Sequence, residues 1–182
     1  PARAIEILNQ LIQDPTIDGI ILTTPQVGAY NDIVKTAEKN GILVATTNSF
    51  DDTIHNRSGI SHTGQGASAA AIGGAALAKC VLDKGIEKGS IILPSSTAMG
   101  NVEVNNRVTA AFNAIVKTLK DAAKLENFKV DAGPENVGVD ANPQDPVNSI
   151  VSLFESRGDV VGAFTANNVF TPALAKAVAQ MG

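Results

Sequence analysis

Hydrophobic residues along this chain follow two alternating patterns, one of nearly continuous β-branched runs and one of helical spacing. Short apolar runs bounded by turn residues predict buried strands, whereas apolar residues three and four apart predict helices that cover them. The predicted strands lie at about residues 17–23, 42–48, 90–96, 127–133 and 160–167. The predicted helices lie at about residues 4–14, 27–40, 67–84, 101–124, 145–158 and 169–182.

Buried strands that alternate with helices at this spacing imply right-handed crossovers and parallel sheets with helices on both faces. The sequence therefore predicts an α/β fold with doubly wound parallel sheets. A polar, turn-rich stretch at residues 49–58 interrupts the pattern, and an Ala/Gly-rich composition follows it directly. This break predicts two lobes, formed by residues 1–60 and residues 61–182.

Composition and charge exclude several classes of protein. The 182 residues carry a formal net charge of −4, and the 14 Lys and Arg residues are spread along the chain without forming a basic stripe. We therefore expect no nucleic-acid partner for this segment. No apolar run approaches the roughly 18 residues of a membrane span, so we expect no membrane-spanning segment in this sequence. The single Cys80 excludes an intramolecular disulfide and a cysteine-based zinc site.

One glycine-rich segment matches the spacing of a nucleotide-binding loop. In GISHTGQGASAAAIGG, the residues Gly64, Gly66 and Ala69 fit the G-x-G-x-x-A pattern. A dinucleotide site also needs an acidic residue after the following strand, where this chain has Pro94 and Ser95. We therefore expect no cofactor, and we interpret the small residues as allowing close packing of a helix on the sheet. A nucleotide-using α/β enzyme stays open as an alternative.

Neutral hydrogen-bonding side chains follow the predicted strands. Ligands of open parallel sheets bind beyond the carboxyl ends of the strands, so these loops form the candidate site. The candidate ligand-binding residues are Thr24, Asn48, Ser49, Ser95, Asn167 and Asn168, together with Arg107 in the helix that follows Ser95. Amides, hydroxyls and a guanidinium are suited to a small, neutral, polyhydroxylated ligand.

The chain lacks the usual residue patterns of a catalytic site. His55 and His62 lie in a turn-rich stretch with no acidic pair at metal-ligand spacing, and Ser95 lacks the Gly-x-Ser-x-Gly pattern of a nucleophile. We therefore expect neither an enzyme nor a metal site.

Structural roles compete with ligand binding at several of these positions. Asn167 or Asn168 could cap the last helix, and Arg107 could pair with Glu103 one turn earlier. Thr24 could serve only as a β-branched strand residue. The sequence leaves both interpretations open at each position.

The succession DGIILTTP, GILVATTN, ISHTGQ, SIILPSS, NNR and VVGAFTANNVFTPALAKAVAQMG resembles the type I periplasmic binding proteins of sugar ABC transporters. The ligand domains of lactose-repressor-type regulators share that fold. The resemblance covers essentially the whole chain, and the last segment is its most specific part. Family members extend further at both ends, so the resemblance implies that this chain is an incomplete fragment.

The resemblance implies a function and a set of ligand contacts. The segment around residues 58–66 would be a hinge crossover, and the family's ligand contacts fall on Thr24, Asn48, Arg107 and Asn167. The expected function is that of a receptor binding a small sugar or polyol between two lobes and delivering it to a membrane permease. The implied location is the periplasm, or the cell surface as a lipoprotein. The alternative is the effector-sensing domain of a lactose-repressor-type transcription regulator.

Two departures from the family pattern concern the ligand. Where the family often has Asp-Arg, this chain has Asn48 and Ser49, and it has Asn168 in place of an Asp. These changes remove charge from the expected site. Sugar sites of the family also stack aromatic rings on the ligand, and Phe50 and Phe170 are the candidates for that role here.

Overall fold

The computed structural model describes residues 2–48, 51–55, 60–63, 66–94, 102–132 and 145–182. Its helices are α1 (Ala2–Gln13), α2 (Asn31–Lys39), α3 (Asp52–His55), α4 (Ala67–Asp83), α5 (Val102–Asp121), α6 (Pro146–Arg157) and α7 (Phe170–Met181). Its strands are β1 (Gly19–Leu22), β2 (Leu43–Thr47), β3 (Ser61–Thr63), β4 (Gly89–Leu93), β5 (Phe128–Ala132) and β6 (Val160–Ala163). In these described residues no helix is both long and apolar enough to cross a membrane.

The α/β fold with parallel sheets is confirmed. Each of the five predicted strands is present as a shorter strand, and each predicted helix is present with altered ends. Three of the described elements were not predicted. Helix α3 lies within the stretch interpreted as turns, β3 lies within the segment interpreted as a hinge crossover, and a short 3₁₀ helix lies at Leu125–Asn127.

Contacts divide the chain into two compact units, residues 1–66 with 100–103 and residues 67–99 with 104–182. Strand β3 pairs with β2, so residues 61–63 belong to the sheet of the first unit. The division by contacts therefore falls after Gly66. The lobes at residues 1–60 and 61–182, with a hinge near 58–66, stay predictions.

The first unit contains a parallel sheet in the order β1-β2-β3. Alternate strand residues such as Ile20 and Val44 are buried in a core shared with α1 and α2. The intervening residues Ile21 and Leu43 are each 76 % exposed. Among the described residues of this unit, the apolar core thus lies on one face of the sheet, because successive side chains point to opposite faces.

The second unit contains a parallel sheet in the order β5-β4-β6. Ile91 and Leu93 of β4 belong to a core cluster with α4 and α5, whereas Ile92 belongs to one with α6 and α7. Helices therefore cover both faces of this sheet, as predicted. The strand order also reverses at β4, since β5 lies on one side of it and β6 on the other.

Helix ends follow the local sequence signals. The Asp145 carboxylate accepts hydrogen bonds from the N–H groups of Val147 and Asn148, both at 3.1 Å, so it caps α6 as predicted. Gly41 and Gly85 follow α2 and α4 with φ of +80° and +71°. That left-handed backbone favours glycine and satisfies the last carbonyl groups of a helix.

Candidate functional site

Two of the predicted ligand residues lie at one edge of the first sheet. Strands β1 and β2 are parallel neighbours in which Leu22 is paired with Thr46. Thr24 and Asn48 each follow these paired positions by two residues, so both lie at the carboxyl edge of the sheet. Thr24 is only 2 % exposed, which favours its alternative role as a strand-end residue. Its part in ligand binding stays a prediction.

Asn48 has an unusual backbone conformation. Its φ of +67° lies in the left-handed region, which ends β2 directly after Thr47. Asn tolerates this region better than most residues, because its short polar side chain can form local hydrogen bonds. The conformation is therefore compatible with an Asn at the end of a strand, and the part of Asn48 in ligand binding stays a prediction.

Three further candidates belong to elements that leave the carboxyl edge of the second sheet. Arg107 lies in the second turn of α5, which follows β4 in the chain, and it is partly buried. Asn167 is partly buried and Asn168 is exposed in the segment between β6 and α7. The predicted Ser49 and Ser95 lie outside the described residues, as does Phe50.

Asn167 caps the last helix, as one of the two interpretations predicted. Its side-chain oxygen accepts hydrogen bonds from the N–H groups of Val169 at 3.1 Å and Phe170 at 2.8 Å. Its backbone carbonyl accepts from the N–H of Thr171 at 3.1 Å. The carboxamide oxygen is thus committed to α7, and a ligand contact from Asn167 would use its amide nitrogen.

We expect two substitutions at Asn167 to separate capping from binding. Asn167→Ala removes the cap and should lower the free energy of unfolding by about 1 kcal/mol. Asn167→Asp keeps an oxygen for the cap but replaces the amide donor, so it should preserve stability while weakening ligand binding. Urea denaturation and calorimetric titration of both variants check this. Full ligand affinity in Asn167→Asp would show that Asn167 is only a cap.

Phe170 does not have the predicted stacking role. It is 0 % exposed and belongs to the core cluster of Ile92, Ile150 and Leu153. A ring enclosed by the core cannot present a face to a sugar. The prediction was wrong because an aromatic residue just after a strand-end loop can face the core as readily as the ligand, and the sequence does not distinguish the two.

Asp51 was missed by the sequence analysis. Its carboxylate is fully buried at the same edge of the first sheet, three residues after Asn48. Oδ2 accepts a hydrogen bond from the N–H of Gly28 at 2.9 Å, and Oδ1 accepts from the N–H and hydroxyl of Thr53. Asp is a preferred residue directly before a helix, a signal that could have predicted part of this arrangement.

Other charged groups serve the packing of the second unit. Arg157 at the end of α6 forms an ion pair with Asp131 of β5, and these side chains are only 17 % and 12 % exposed. Lys129 lies 3.2 Å from the same carboxylate. This ion pair joins α6 to β5. Within the part of the chain that the structure describes, no three His, Cys, Asp or Glu side chains converge as a metal site would require.

The comparison with known families agrees with the α/β fold of parallel sheets. A family model described as a periplasmic binding protein domain matches residues 1–182. The chain belongs to the periplasmic binding protein family. No curated protein sequence matches it significantly.

Solved structures of sugar-binding relatives share the fold of this periplasmic binding protein. An ABC transporter solute-binding protein from Burkholderia graminis, in complex with D-arabinose, is 22 % identical with a TM-score of 0.71 over 97 % of this chain and 55 % of its own. A periplasmic solute-binding protein from Actinobacillus succinogenes with bound D-allose is 19 % identical with a TM-score of 0.71. The match covers 100 % of this chain and 59 % of that protein. A solute-binding protein from Agrobacterium vitis, bound with α-D-tagatopyranose, is 18 % identical with a TM-score of 0.66. The match covers 98 % of this chain and 57 % of that protein. The chain thus spans little more than half the length of these relatives.

Proposed function

We propose that the protein is the solute-binding receptor of an ABC transporter and that it binds a small neutral sugar or polyol. The observation that carries this proposal is the set of neutral hydrogen-bonding side chains at strand ends in a chain of this family. Each hydroxyl of a sugar both donates and accepts hydrogen bonds, and amide and hydroxyl side chains do the same. The sugars bound in the relatives from Burkholderia graminis and Actinobacillus succinogenes support this class of ligand.

We propose a role for each type of side chain. Asn48, Asn167 and Asn168 offer amides that both donate and accept, and Arg107 offers several donors in a fixed plane. Hydroxyl groups complete the set, from Thr24, Ser49 and Ser95. The absence of acidic residues from this set favours an uncharged ligand over a cationic one.

We further propose that a membrane permease receives the solute and that the protein acts in the periplasm or as a cell-surface lipoprotein. The description of the matching family and the transporter relatives support this proposal. A receptor with this function uses no cofactor and releases its ligand chemically unchanged. Analysis of the bound sugar by NMR before and after incubation would check the last point.

Titration of the full-length protein tests the proposed function. We expect D-arabinose, D-allose, D-tagatose or a related polyol to bind in calorimetry and to raise the melting temperature. A ligand at one hundred times its Kd should stabilise the folded state by about 2.7 kcal/mol. ATP and NAD serve as comparison ligands. Binding of a nucleotide, with no response to any sugar or polyol, would favour the nucleotide-using enzyme instead.

A substitution at Asn48 connects the titration to the proposed site. Asn48→Gly removes the amide, and glycine adopts the φ of +67° at this position without strain. We therefore expect sugar affinity to fall while the fold is retained. Unchanged affinity in this variant would remove Asn48 from the set of ligand contacts.

A further inference from the structure

Asp51 joins two segments of the first unit that are far apart in sequence. Its side chain is 0 % exposed, and it accepts hydrogen bonds from both Thr53 and Gly28. The N–H and hydroxyl of Thr53 donate to Oδ1 at 3.0 and 2.6 Å, and the N–H of Gly28 donates to Oδ2 at 2.9 Å. The two oxygens of one carboxylate therefore contact the short helix α3 and the β1–α2 loop.

The two sets of hydrogen bonds have different purposes. The bonds from Thr53 are local and cap the short helix α3, a task that an exposed Asp or Ser performs equally well. The bond from Gly28 spans 23 residues of sequence and is not needed for a cap. Burying a carboxylate is costly unless hydrogen bonds compensate it. Because an exposed residue could cap α3 without that cost, the burial of Asp51 indicates a role beyond capping.

The long-range bond links the loops that carry two proposed ligand contacts. Gly28 lies in the loop between β1 and α2, four residues after Thr24, and has a left-handed φ of +75°. Asp51 lies in the loop after β2, three residues after Asn48. The bond holds Gly28 against Asp51, two residues in the segments that follow the paired strands β1 and β2.

We propose that Asp51 is a positioning residue that holds the β1–α2 loop and the loop after β2 in the conformation that binds the solute. This inference rests on the proposed function, because it concerns affinity for the sugar. Because the Asp51 side chain is 0 % exposed, its proposed role is exerted through the loops and not by direct contact with the ligand. Loss of the link lowers the fraction of molecules with the competent loop conformation, and the apparent Kd rises by the inverse of that fraction.

The test compares Asp51→Ser with Thr53→Ala in the full-length protein. Serine keeps one oxygen to cap α3 but has no second oxygen to reach Gly28. Thr53→Ala removes a hydrogen bond to the same carboxylate and leaves the link to Gly28 intact. We expect Asp51→Ser to weaken the binding of D-arabinose, D-allose or D-tagatose about tenfold at temperatures where it is fully folded. Thr53→Ala should change affinity by less than about threefold.

Amide hydrogen exchange without ligand separates this inference from the proposed function. In the wild type, we expect the Gly28 N–H to exchange as slowly as the N–H groups of neighbouring β1. In Asp51→Ser it should exchange at least about tenfold faster, with Thr53→Ala close to wild type.

Each outcome has a definite meaning. Rapid exchange of Gly28 in the wild type would overturn the inference even if Asp51→Ser failed to fold. Equal sugar affinity in Asp51→Ser and wild type would also overturn it. If the wild type bound no sugar, the proposed function would fail, whereas the exchange of Gly28 would still decide whether Asp51 holds the loop.

Discussion

Replacement of Phe170 by Ala is expected to lower the free energy of unfolding by about 3–5 kcal/mol. The ring is fully buried between β4, α6 and α7, in contact with a cluster that includes Ile92, Ile150 and Leu153. Its removal loses the transfer free energy of a large apolar side chain and leaves a cavity that these neighbours fill only in part. Urea denaturation followed by circular dichroism measures the loss.

Val169→Ala is the matched control for this prediction. Val169 immediately precedes Phe170 and is 53 % exposed, so its truncation should change the free energy of unfolding by no more than about 0.5 kcal/mol. The Asn167 cap uses only backbone N–H groups at both positions and is retained in both variants. A loss below 1 kcal/mol in Phe170→Ala, with sugar affinity strongly reduced, would reinstate Phe170 as a stacking residue.

The sequence predicted the elements whose hydrophobic pattern is strong. In β4, three consecutive apolar residues, Ile91, Ile92 and Leu93, are buried because helices cover both faces of the sheet. A continuous apolar run is typical of such a strand. The cap of α6 was likewise predictable, since Asp145 followed by proline is a purely local signal.

The elements that were missed depend on contacts that no local pattern encodes. Strand β3 has the sequence Ser-His-Thr, without an apolar residue, and exists through its parallel pairing with β2. Helix α3 has only four residues, and the carboxylate of Asp51 that caps it is held by Gly28, 23 residues away. Short elements of this kind obtain their stability from tertiary contacts, which a single sequence does not reveal.

In the candidate site, too, some features could be predicted from the sequence and others depend on tertiary contacts. The general rule that ligands bind beyond the carboxyl ends of parallel strands was sufficient to select Asn48 and Asn167. The cap formed by the Asn167 oxygen was one of the two interpretations that the sequence left open, whereas the positive φ of Asn48 was not predicted. The burial of Asp51 could not be predicted from the sequence either, because a carboxylate is ordinarily assigned to the surface unless its partners are known.

Gly74→Ala is expected to destabilise the protein by about 1–2 kcal/mol, although alanine is the better helix former. Gly74 lies in α4 where the helix crosses α5. A Cβ atom at this position would lie 2.5 Å from the carbonyl oxygen of Ala111 and 2.8 Å from its Cα. Both contacts involve backbone, so the two helices would have to separate. The cost of that separation exceeds the roughly 1 kcal/mol that alanine gains in helix propensity.

Gly73→Ala provides a control in the same helix with the same gain in propensity. A Cβ atom there would lie 2.9 Å from Cε2 of Phe164, which is the far end of a partly buried side chain and not backbone. We therefore expect the free energy of unfolding of this variant to lie within about 0.5 kcal/mol of the wild-type value or slightly above it. Thermal and urea denaturation of the two variants measures the difference. Equal stability would mean that α4 and α5 can move apart at little cost, and that Gly74 is not required for their close contact.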